Sequence, residues 1–333
     1  MLDILCIGDS VIDIFLKIPS TDPKFKHDRE NNRLEISLGE KISVEKYIVG
    51  IGGNATNTAV GTARLGLNSG LCAEIGNDEF SQKILSTLGD EDVNTDFVIR
   101  DNDKQTSITV ALSYNGERTL FTEHVQRKHN LKFENADTRL IYLTSIGHVW
   151  EHIYEKVYEH VKQSDTLLAF NPGSLQLEYK NRFVMDAIEV TDYLFVNKQE
   201  AEEILYGKEL GLKLENNKNL IKKLLFGLRS LGAKNVIITD SVNGSYVQNQ
   251  NNKMFHLACN KVEAIEKTGA GDAYTAGFLS AVLKDLSIEE AMVWGTINSS
   301  SVIREVGAEN GLLHKEKMIE IRKSMSGFLP HEI

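Results

Sequence analysis

A small-residue segment followed at once by an acid is the part of this chain best suited to chemistry. Residues 266–274 read Glu-Lys-Thr-Gly-Ala-Gly-Asp-Ala-Tyr, and an apolar helical pattern continues to residue 286. Gly269, Ala270 and Gly271 leave little side-chain bulk, so backbone N–H groups there can approach a ligand closely. The N-terminus of a helix adds unpaired N–H donors and a partial positive charge. The pattern therefore predicts a site for an anion, most often a phosphate.

Asp272 stands directly beside this predicted anion site. A carboxylate in that position would repel a bound anion, so its presence suggests that it acts as a general base. The plain alternative is that Thr268 or Asp272 only caps the helix. The following helix favours a ligand, because its residues are apolar on nearly all sides and a buried N-terminus needs partners for its N–H groups.

The elements that must position this segment predict a parallel sheet. From residue 139 onward, short apolar runs alternate with helical patterns, as in right-handed βαβ units. With an N-terminal run that reads as a buried strand, the runs are residues 2–8, 140–143, 166–170, 193–196 and 235–238. Ligands on such sheets bind beyond the carboxyl ends of the strands. The polar residues that we expect at this edge are Asp9, Asn171, Asn197 and Thr239.

Two segments depart from this alternation and show the period-two pattern of a half-exposed sheet. One lies within residues 14–50, where Gly39-Glu40 is a candidate hairpin turn. The other lies within residues 97–124, where Asn115-Gly116 carries the hairpin signal. We expect both segments to join in one small antiparallel sheet.

A dinucleotide-binding fingerprint offers a competing interpretation. Gly50-x-Gly52-x-x-Ala55 matches the glycine spacing, and Glu74 follows as a candidate ribose ligand. The motif requires a preceding parallel strand, whereas this match begins inside the first antiparallel segment. A nicotinamide-dependent dehydrogenase is therefore an outside alternative.

The overall composition argues against several classes of protein. The chain has 333 residues, 41% of them hydrophobic, which suits one large α/β domain with a smaller appendage. A net charge of −10 and a pI near 5.5 argue against a nucleic-acid partner. The three cysteines form no CxxC pair, so we expect neither a disulfide framework nor a zinc site. Without a signal-peptide pattern or a membrane-spanning apolar run, we expect a cytoplasmic protein with no membrane partner.

Two signatures resemble the ribokinase-like, or PfkB, family of carbohydrate kinases. Residues 52–59 read Gly-Gly-Asn-Ala-Thr-Asn-Thr-Ala, and residues 267–278 read Lys-Thr-Gly-Ala-Gly-Asp-Ala-Tyr-Thr-Ala-Gly-Phe. The resemblance implies a ribokinase-like three-layer αβα sandwich with a mostly parallel central sheet and a small antiparallel β lid. The implied catalytic domain is residues 1–13, 51–96 and 125–333, and the implied lid is residues 14–50 and 97–124.

The resemblance also implies ATP-dependent phosphorylation of a hydroxymethyl group on a sugar. By analogy, Asp272 is the base, and Gly269, Ala270 and Gly271 form the anion hole for the transferred phosphoryl group. The implied ligands of the acceptor hydroxyls are Asp13, Gly53, Asn54 and Asn57. The residues implied to lie along ATP are Asn197, Thr239, Gly244 and Asn298, with Thr296 an equal candidate for the adenine pocket. Glu200 would organise Mg²⁺, although Asn197 and Glu200 also fit a helix capping box.

Several questions stay open at this point. The same fold also serves nucleoside kinases, such as those for adenosine, and a non-catalytic sugar or nucleotide sensor is a further alternative. Glu266 replaces the aspartate usual in the family at a position linked to monovalent cations, so dependence on K⁺ is undecided. Arg118 lies in the predicted lid. It either binds a sugar phosphate or is an ordinary exposed arginine. The family also implies a homodimer formed through the lid.

Overall fold

A nine-stranded sheet lies at the centre of the computed structural model, which describes residues 1–19, 22–28, 30–31, 33–114, 117–179, 182–207 and 218–333. From one edge to the other, the strands are β17 (His331–Glu332), β16 (Met254–Leu257), β15 (Ser245–Gln248), β14 (Asn235–Thr239), β13 (Tyr193–Asn197), β12 (Leu167–Phe170), β11 (Thr138–Leu143), β1 (Leu2–Ile7) and β6 (Ser69–Cys72). The six strands from β14 to β6 are parallel, and the other three are antiparallel. The predicted mostly parallel sheet is therefore confirmed.

Helices cover both faces of this sheet. Ile4 and Cys6 of β1 face one apolar core, and Leu5 and Ile7 face the other, which is why the strand is apolar throughout. The first face carries α1 (Asn54–Arg64), α2 (Glu79–Asp90), α8 (Ala270–Val282), α9 (Ile288–Val302) and α10 (Lys315–Ser324). The second carries α3 (Glu151–Lys162), α4 (Ser174–Glu178), α5 (Arg182–Glu189), α6 (Lys198–Tyr206) and α7 (Lys218–Ser230). The arrangement is the predicted three-layer αβα sandwich.

A separate four-stranded sheet lies beside the sandwich. Its order is β10 (Glu117–Glu123), β9 (Ile108–Tyr114), β2 (Val11–Lys17) and β5 (Lys46–Gly52). β9 pairs antiparallel with β10 and parallel with β2, so the two predicted segments do join in one sheet. We call this sheet the lid sheet. The Asn115-Gly116 turn that would connect β9 and β10 lies outside the described residues.

The predicted hairpin at Gly39-Glu40 is wrong. β4 (Arg33–Ile36) pairs antiparallel with the earlier strand β3 (Phe25–Asp28), while β5 pairs with β2. The remaining short pair joins β7 (Glu74–Gly76) to β8 (Ile99–Asp101). β5, which contains Gly50 and Gly52, is thus an antiparallel lid strand, and the dinucleotide fingerprint lacks the parallel strand that it requires. Within the described ranges, none of the helices has the length and apolar character needed to cross a bilayer.

Candidate active site

The small-residue segment forms the N-terminus of α8, as predicted. Gly269 is the N-cap and adopts a left-handed conformation with φ of 74°. A Cβ on Gly269 would lie 2.7 Å from the Cβ of Ala308, so both the backbone and the space require glycine there. Gly271 has no atom within 4 Å of the position that a Cβ would take. The first turn of α8 therefore borders an open space at Gly271.

Asp272 lies on this first turn and is 8% exposed. Its Oδ2 accepts a hydrogen bond of 2.8 Å from the Nδ2 of Asn57. Burial raises the pKa of Asp272 to about 7; the hydrogen bond from Asn57 acts in the opposite direction, and the charges of Asp13 and Glu200 raise the pKa further. A carboxylate with a pKa near neutrality suits a general base that works in the cell.

The close approach of α1 to α8 brings Asn57 to Asp272. The two helices pack directly together, and a Cβ on Gly61 of α1 would lie 2.7 Å from the Cβ of Ala276 in α8. At the start of α1, Gly53 has φ of 98°, and a Cβ there would lie 2.8 Å from the carbonyl carbon of Asp9. Small residues thus hold the two signatures against each other.

Asp13 forms the lid side of the site. It lies on β2, is 7% exposed, and faces Gly52, where a Cβ would lie 2.7 Å from its Oδ1. Burial and the charge of Glu266 raise the pKa of Asp13 to about 6, against the opposite effects of Arg118 and Thr109. Asn54, the first residue of α1, is half-buried. The predicted acceptor residues Asp13, Gly53, Asn54 and Asn57 therefore all lie on or between β2, β5 and the first turn of α1.

An ion pair connects the lid sheet to the loop before α8. Nη1 of Arg118, on β10, lies 2.5 Å from Oε1 of Glu266 and also donates to Oγ1 of Thr268. The carboxylate of Glu266 accepts hydrogen bonds from the backbone N–H groups of Thr268, at 2.8 Å, and Gly307, at 3.2 Å. Although burial opposes ionisation, these contacts and Arg118 hold the pKa of Glu266 below its usual value. Glu266 is thus a fixed negative charge beside residues 269–271, which we call the anion loop.

A cavity of about 520 Å³ borders the N-terminus of α8. Four residues that sequence reasoning assigned to the anion hole or to ATP line it: Thr239, Gly244, Ala270 and Gly271. Gly244 has φ of 89°, and a Cβ there would lie 2.8 Å from the backbone nitrogen of Cys259, so this turn also requires glycine. The cavity has the volume of a small-molecule site and reaches the anion loop.

Further residues of this cavity were not predicted from the sequence. They include Lys261, Lys267, Tyr274 and Ser300. Lys267 lies two residues before Gly269, and its positive charge beside the predicted anion site could have identified it from the sequence. Lys261 lies in a loop without a periodic pattern, so nothing in the sequence pointed to it. The two lysines supply positive charge next to the anion loop.

The structure separates the two candidates for the adenine pocket. Thr296 lines the cavity. Asn298 is fully buried: its Nδ2 donates to the carbonyl oxygen of Ala273 at 2.8 Å, and its Oδ1 accepts from the N–H of Leu313 at 3.0 Å. Asn298 therefore ties α9 to α8 and is not a wall of the cavity.

Asn197 and Glu200 form the capping box at the start of α6. Oδ1 of Asn197 accepts from the N–H of Glu200 at 2.9 Å, and Oε2 of Glu200 accepts from the N–H of Asn197 at 2.8 Å. Burial raises the pKa of Glu200 to about 7, with a further contribution from Glu203. Neither residue lines the cavity. Among the described residues, no three His, Cys, Asp or Glu side chains are grouped as a metal site, so a divalent cation here would need ligands from a nucleotide or from water.

Comparison with known proteins identifies the family. The model of the pfkB family of carbohydrate kinases matches residues 2–315. The chain belongs to this family. Membership confirms the resemblance predicted from residues 52–59 and 267–278, and with it the prediction that the protein is a kinase. It leaves the dehydrogenase alternative without support.

Relatives of this pfkB kinase act on different acceptors. The nucleoside kinase of Methanocaldococcus jannaschii is 26% identical over 325 residues, which cover 96% of each chain. The ATP-dependent 6-phosphofructokinase of Thermoanaerobacterium thermosaccharolyticum is 24% identical, covering 92% of this chain and 89% of the other. The solved structure of Arabidopsis thaliana ribokinase complexed with ribose and ATP has a TM-score of 0.78 at 19% identity, covering 97% of this chain and 99% of that one. These similarities confirm the ribokinase-like fold.

Proposed function

We propose that this pfkB kinase transfers the γ-phosphoryl group of ATP to a hydroxymethyl group of a sugar or nucleoside. The observation that carries the proposal is the position of Asp272, a buried carboxylate with a pKa of about 7, on the first turn of a helix whose N-terminus faces an open cavity. A base and an anion site within one helical turn are the two parts that phosphoryl transfer to an alcohol requires.

The proposed reaction is a direct displacement at the γ-phosphorus of ATP. The acceptor hydroxyl gives its proton to the Asp272 carboxylate, and its oxygen forms a bond to the γ-phosphorus. The bond between that phosphorus and the oxygen bridging to the β-phosphate breaks, and ADP leaves with the electron pair. Backbone N–H groups of Gly269, Ala270 and Gly271 would stabilise the charge on the transferred phosphoryl oxygens.

The cavity beside the anion loop is the proposed ATP site. Its wall includes Thr239 at the end of β14, Gly244 directly before β15, Thr296 on α9, and Lys267 next to the anion loop. A lysine at that point would meet the phosphates as a positive charge. Two relatives support ATP as the donor: one is named an ATP-dependent kinase, and another was solved with ATP bound. Asn197, at the neighbouring strand end, is proposed to contact the nucleotide from outside this wall.

Mg²⁺ is the proposed partner of ATP, and Glu200 the side chain that would hold it. When bound, Mg²⁺ neutralises charge on the phosphates. Glu200 is half-buried, and its charge is among those that raise the pKa of Asp272, so it lies within electrostatic range of the base. A single carboxylate acting through water fits the preference of Mg²⁺ for few protein ligands.

The acceptor is proposed to lie between Asp13 and Asp272. Oδ1 of Asn57 is buried and has no hydrogen-bond partner in the part of the chain that the structure describes. A buried, unpaired acceptor beside the base is a place for a substrate hydroxyl. Asp13, Asn54 and the backbone of Gly53 would bind further hydroxyl groups. The nucleoside kinase among the relatives keeps a nucleoside open as the acceptor.

We also propose a cytoplasmic homodimer formed through the lid, taken as residues 14–50 and 97–124. The lid sheet exposes three large apolar side chains: Tyr47, Leu120 and Phe121 are 67%, 44% and 56% exposed. Tyr47 lies on β5 and the other two on β10, the two edge strands of the lid sheet, so the proposed contact would cover these edges. Light scattering after size exclusion tests the dimer, and a monomeric mass that stays unchanged at high protein concentration would contradict it.

An ADP-release screen across sugars, sugar phosphates and nucleosides tests the proposed activity. The Asp272→Asn protein is the control, because it keeps the shape of the side chain and loses the base. ADP release that depends on both the acceptor and Asp272 supports the kinase. A protein that binds sugar or nucleotide but releases no ADP with any acceptor would instead be a sensor on the same scaffold.

A further inference from the structure

We infer that the acceptor of this kinase enters the site without a phosphate group, and that the Arg118–Glu266 ion pair sets this preference. The inference rests on the proposed function, since it concerns the acceptor of that reaction. The preferred acceptor is then an uncharged, hydroxyl-rich compound, such as a free sugar or a nucleoside, and not a sugar phosphate.

Arg118 is the lid guanidinium positioned to meet an acceptor phosphate, but it is already paired. Its Nη1 lies 2.5 Å from Oε1 of Glu266, and it also donates to Thr268. The side chain of Glu266 is 9% exposed and is fixed by two backbone N–H groups, from Thr268 and Gly307. A phosphate that took Arg118 would leave a nearly buried carboxylate without its counter-charge, which is a strongly unfavourable exchange.

The other charged groups on the acceptor side are mainly carboxylates. Asp13 and Asp272 are 7% and 8% exposed. In addition to burial, the charge of Glu266 raises the pKa of Asp13, and the charges of Asp13 and Glu200 raise the pKa of Asp272. A phosphorylated acceptor would add negative charge to this group before the phosphates of ATP arrive. Repulsion between these like charges lowers the affinity for a phosphorylated acceptor.

The polar groups that remain free fit hydroxyl donors. Oδ1 of Asn57 is a buried acceptor without a partner among the described residues, and the Asp13 carboxylate is a second acceptor facing the same side. Both accept from an O–H group, and neither can donate to a phosphate oxygen while Asp13 is ionised. Lys267, in contrast, lines the nucleotide cavity. The acceptor side is thus built for hydroxyl recognition, and the positive charge is placed on the ATP side.

Matched acceptor pairs test this inference. Fructose is compared with fructose 6-phosphate, which keeps a free hydroxymethyl group, and adenosine is compared with adenosine 3′-monophosphate. The kcat/KM ratio of the neutral to the phosphorylated member is measured for the wild type, Glu266→Gln and Arg118→Ala. Glu45→Gln is the control, because it removes the carboxylate of an exposed lid-sheet ion pair with Lys17, at 2.7 Å, away from the acceptor side.

We expect the wild type to prefer the neutral member by at least about 100-fold, because like-charge contacts cost several kcal/mol. Glu266→Gln frees Arg118, so the ratio should fall by about tenfold or more, whereas Glu45→Gln should leave it unchanged. Arg118→Ala should not lower this ratio, because the guanidinium is absent and Glu266 is then an uncompensated negative charge. If thermal unfolding shows that Glu266→Gln is not folded, the neutral-to-phosphorylated kcat/KM ratios of the wild type and of Arg118→Ala test the inference.

Two results would overturn the inference alone: a phosphorylated member with the higher kcat/KM in the wild type, or a ratio in the folded Glu266→Gln protein equal to that of the wild type. The latter would show that the Arg118–Glu266 ion pair does not set the preference. No ADP release with any acceptor would refute the proposed function itself, and the inference with it.

Discussion

Replacing Asp272 with Asn should abolish catalysis and at the same time stabilise the protein above neutral pH. The amide keeps the shape of the side chain, and its oxygen can still accept the 2.8 Å hydrogen bond from Asn57. It cannot accept a proton from the acceptor. Because a positioned base contributes about 10²–10⁴ in rate, kcat should fall by at least about 10² with little change in ATP binding.

The stability change follows from the pKa of the buried carboxyl. Burial raises the pKa of Asp272 from 3.8 to about 7, so the folded protein binds a proton that the unfolded chain releases between these pH values. The contribution of this group to the free energy of unfolding is therefore fully present below pH 3.8 and is lost as the pH rises to about 7. At about 1.4 kcal/mol per pKa unit, the loss reaches about 4 kcal/mol. The amide of the Asp272→Asn variant does not titrate, so the variant does not lose this part of its free energy of unfolding.

Urea denaturation of both proteins at pH 5 and pH 8 measures this difference. We expect the stability advantage of Asp272→Asn to grow by about 2–3 kcal/mol between the two pH values. Asp165→Asn is the control for the substitution itself, because Asp165 is exposed in the turn between α3 and β12. An advantage of Asp272→Asn that is the same at both pH values, or near-full turnover in that variant, would refute the reasoning.

Three further predictions concern the same site. Gly271→Ala places a methyl group in the open space at the anion loop and should lower kcat by about 10², whereas Gly89→Ala, in the exposed and equally open part of α2, should not; steady-state kinetics of both variants compare them. Glu200→Gln keeps the capping box and should raise the Mg²⁺ concentration needed for half-maximal rate, and an unchanged Mg²⁺ titration would leave Glu200 only its capping role. Asn57→Ala removes the hydrogen bond that lowers the pKa of Asp272, so the acidic limb of the pH profile of kcat/KM should move to higher pH; a limb that stays in place would separate Asn57 from the base.

Local sequence patterns were sufficient for the framework of this kinase. The central parallel strands are short apolar runs because they are buried on both faces. In the two signatures, Gly53, Gly269 and Gly277 each meet a close backbone contact or adopt a left-handed conformation. Such requirements act within a few residues, so they are visible in the sequence. The strands of the parallel sheet and the carboxylate of Asp272 beside the anion loop were predicted from them.

Contacts between distant residues could not be predicted in this way. The turn at Gly39-Glu40 was misplaced because β4 pairs with β3, and strand pairing depends on tertiary context. Thr296 and Asn298 lie two positions apart on α9, and only the packing of α8 shows which of them faces the cavity. The Arg118–Glu266 pair joins residues 148 positions apart, and no local pattern connects them.

The lid sheet has a consequence for the order of events during turnover. β2 carries Asp13, and β5 runs into Gly53 and the first turn of α1, so the strands of the lid sheet are also those proposed to bind the acceptor. Any movement of this sheet changes the distance between Asp13 and Asp272. The acceptor, by contacting both carboxylates, would therefore draw the lid onto the base before the phosphoryl group is transferred. In that arrangement, water in an open site meets an incomplete set of catalytic groups, which protects ATP from hydrolysis while no acceptor is bound.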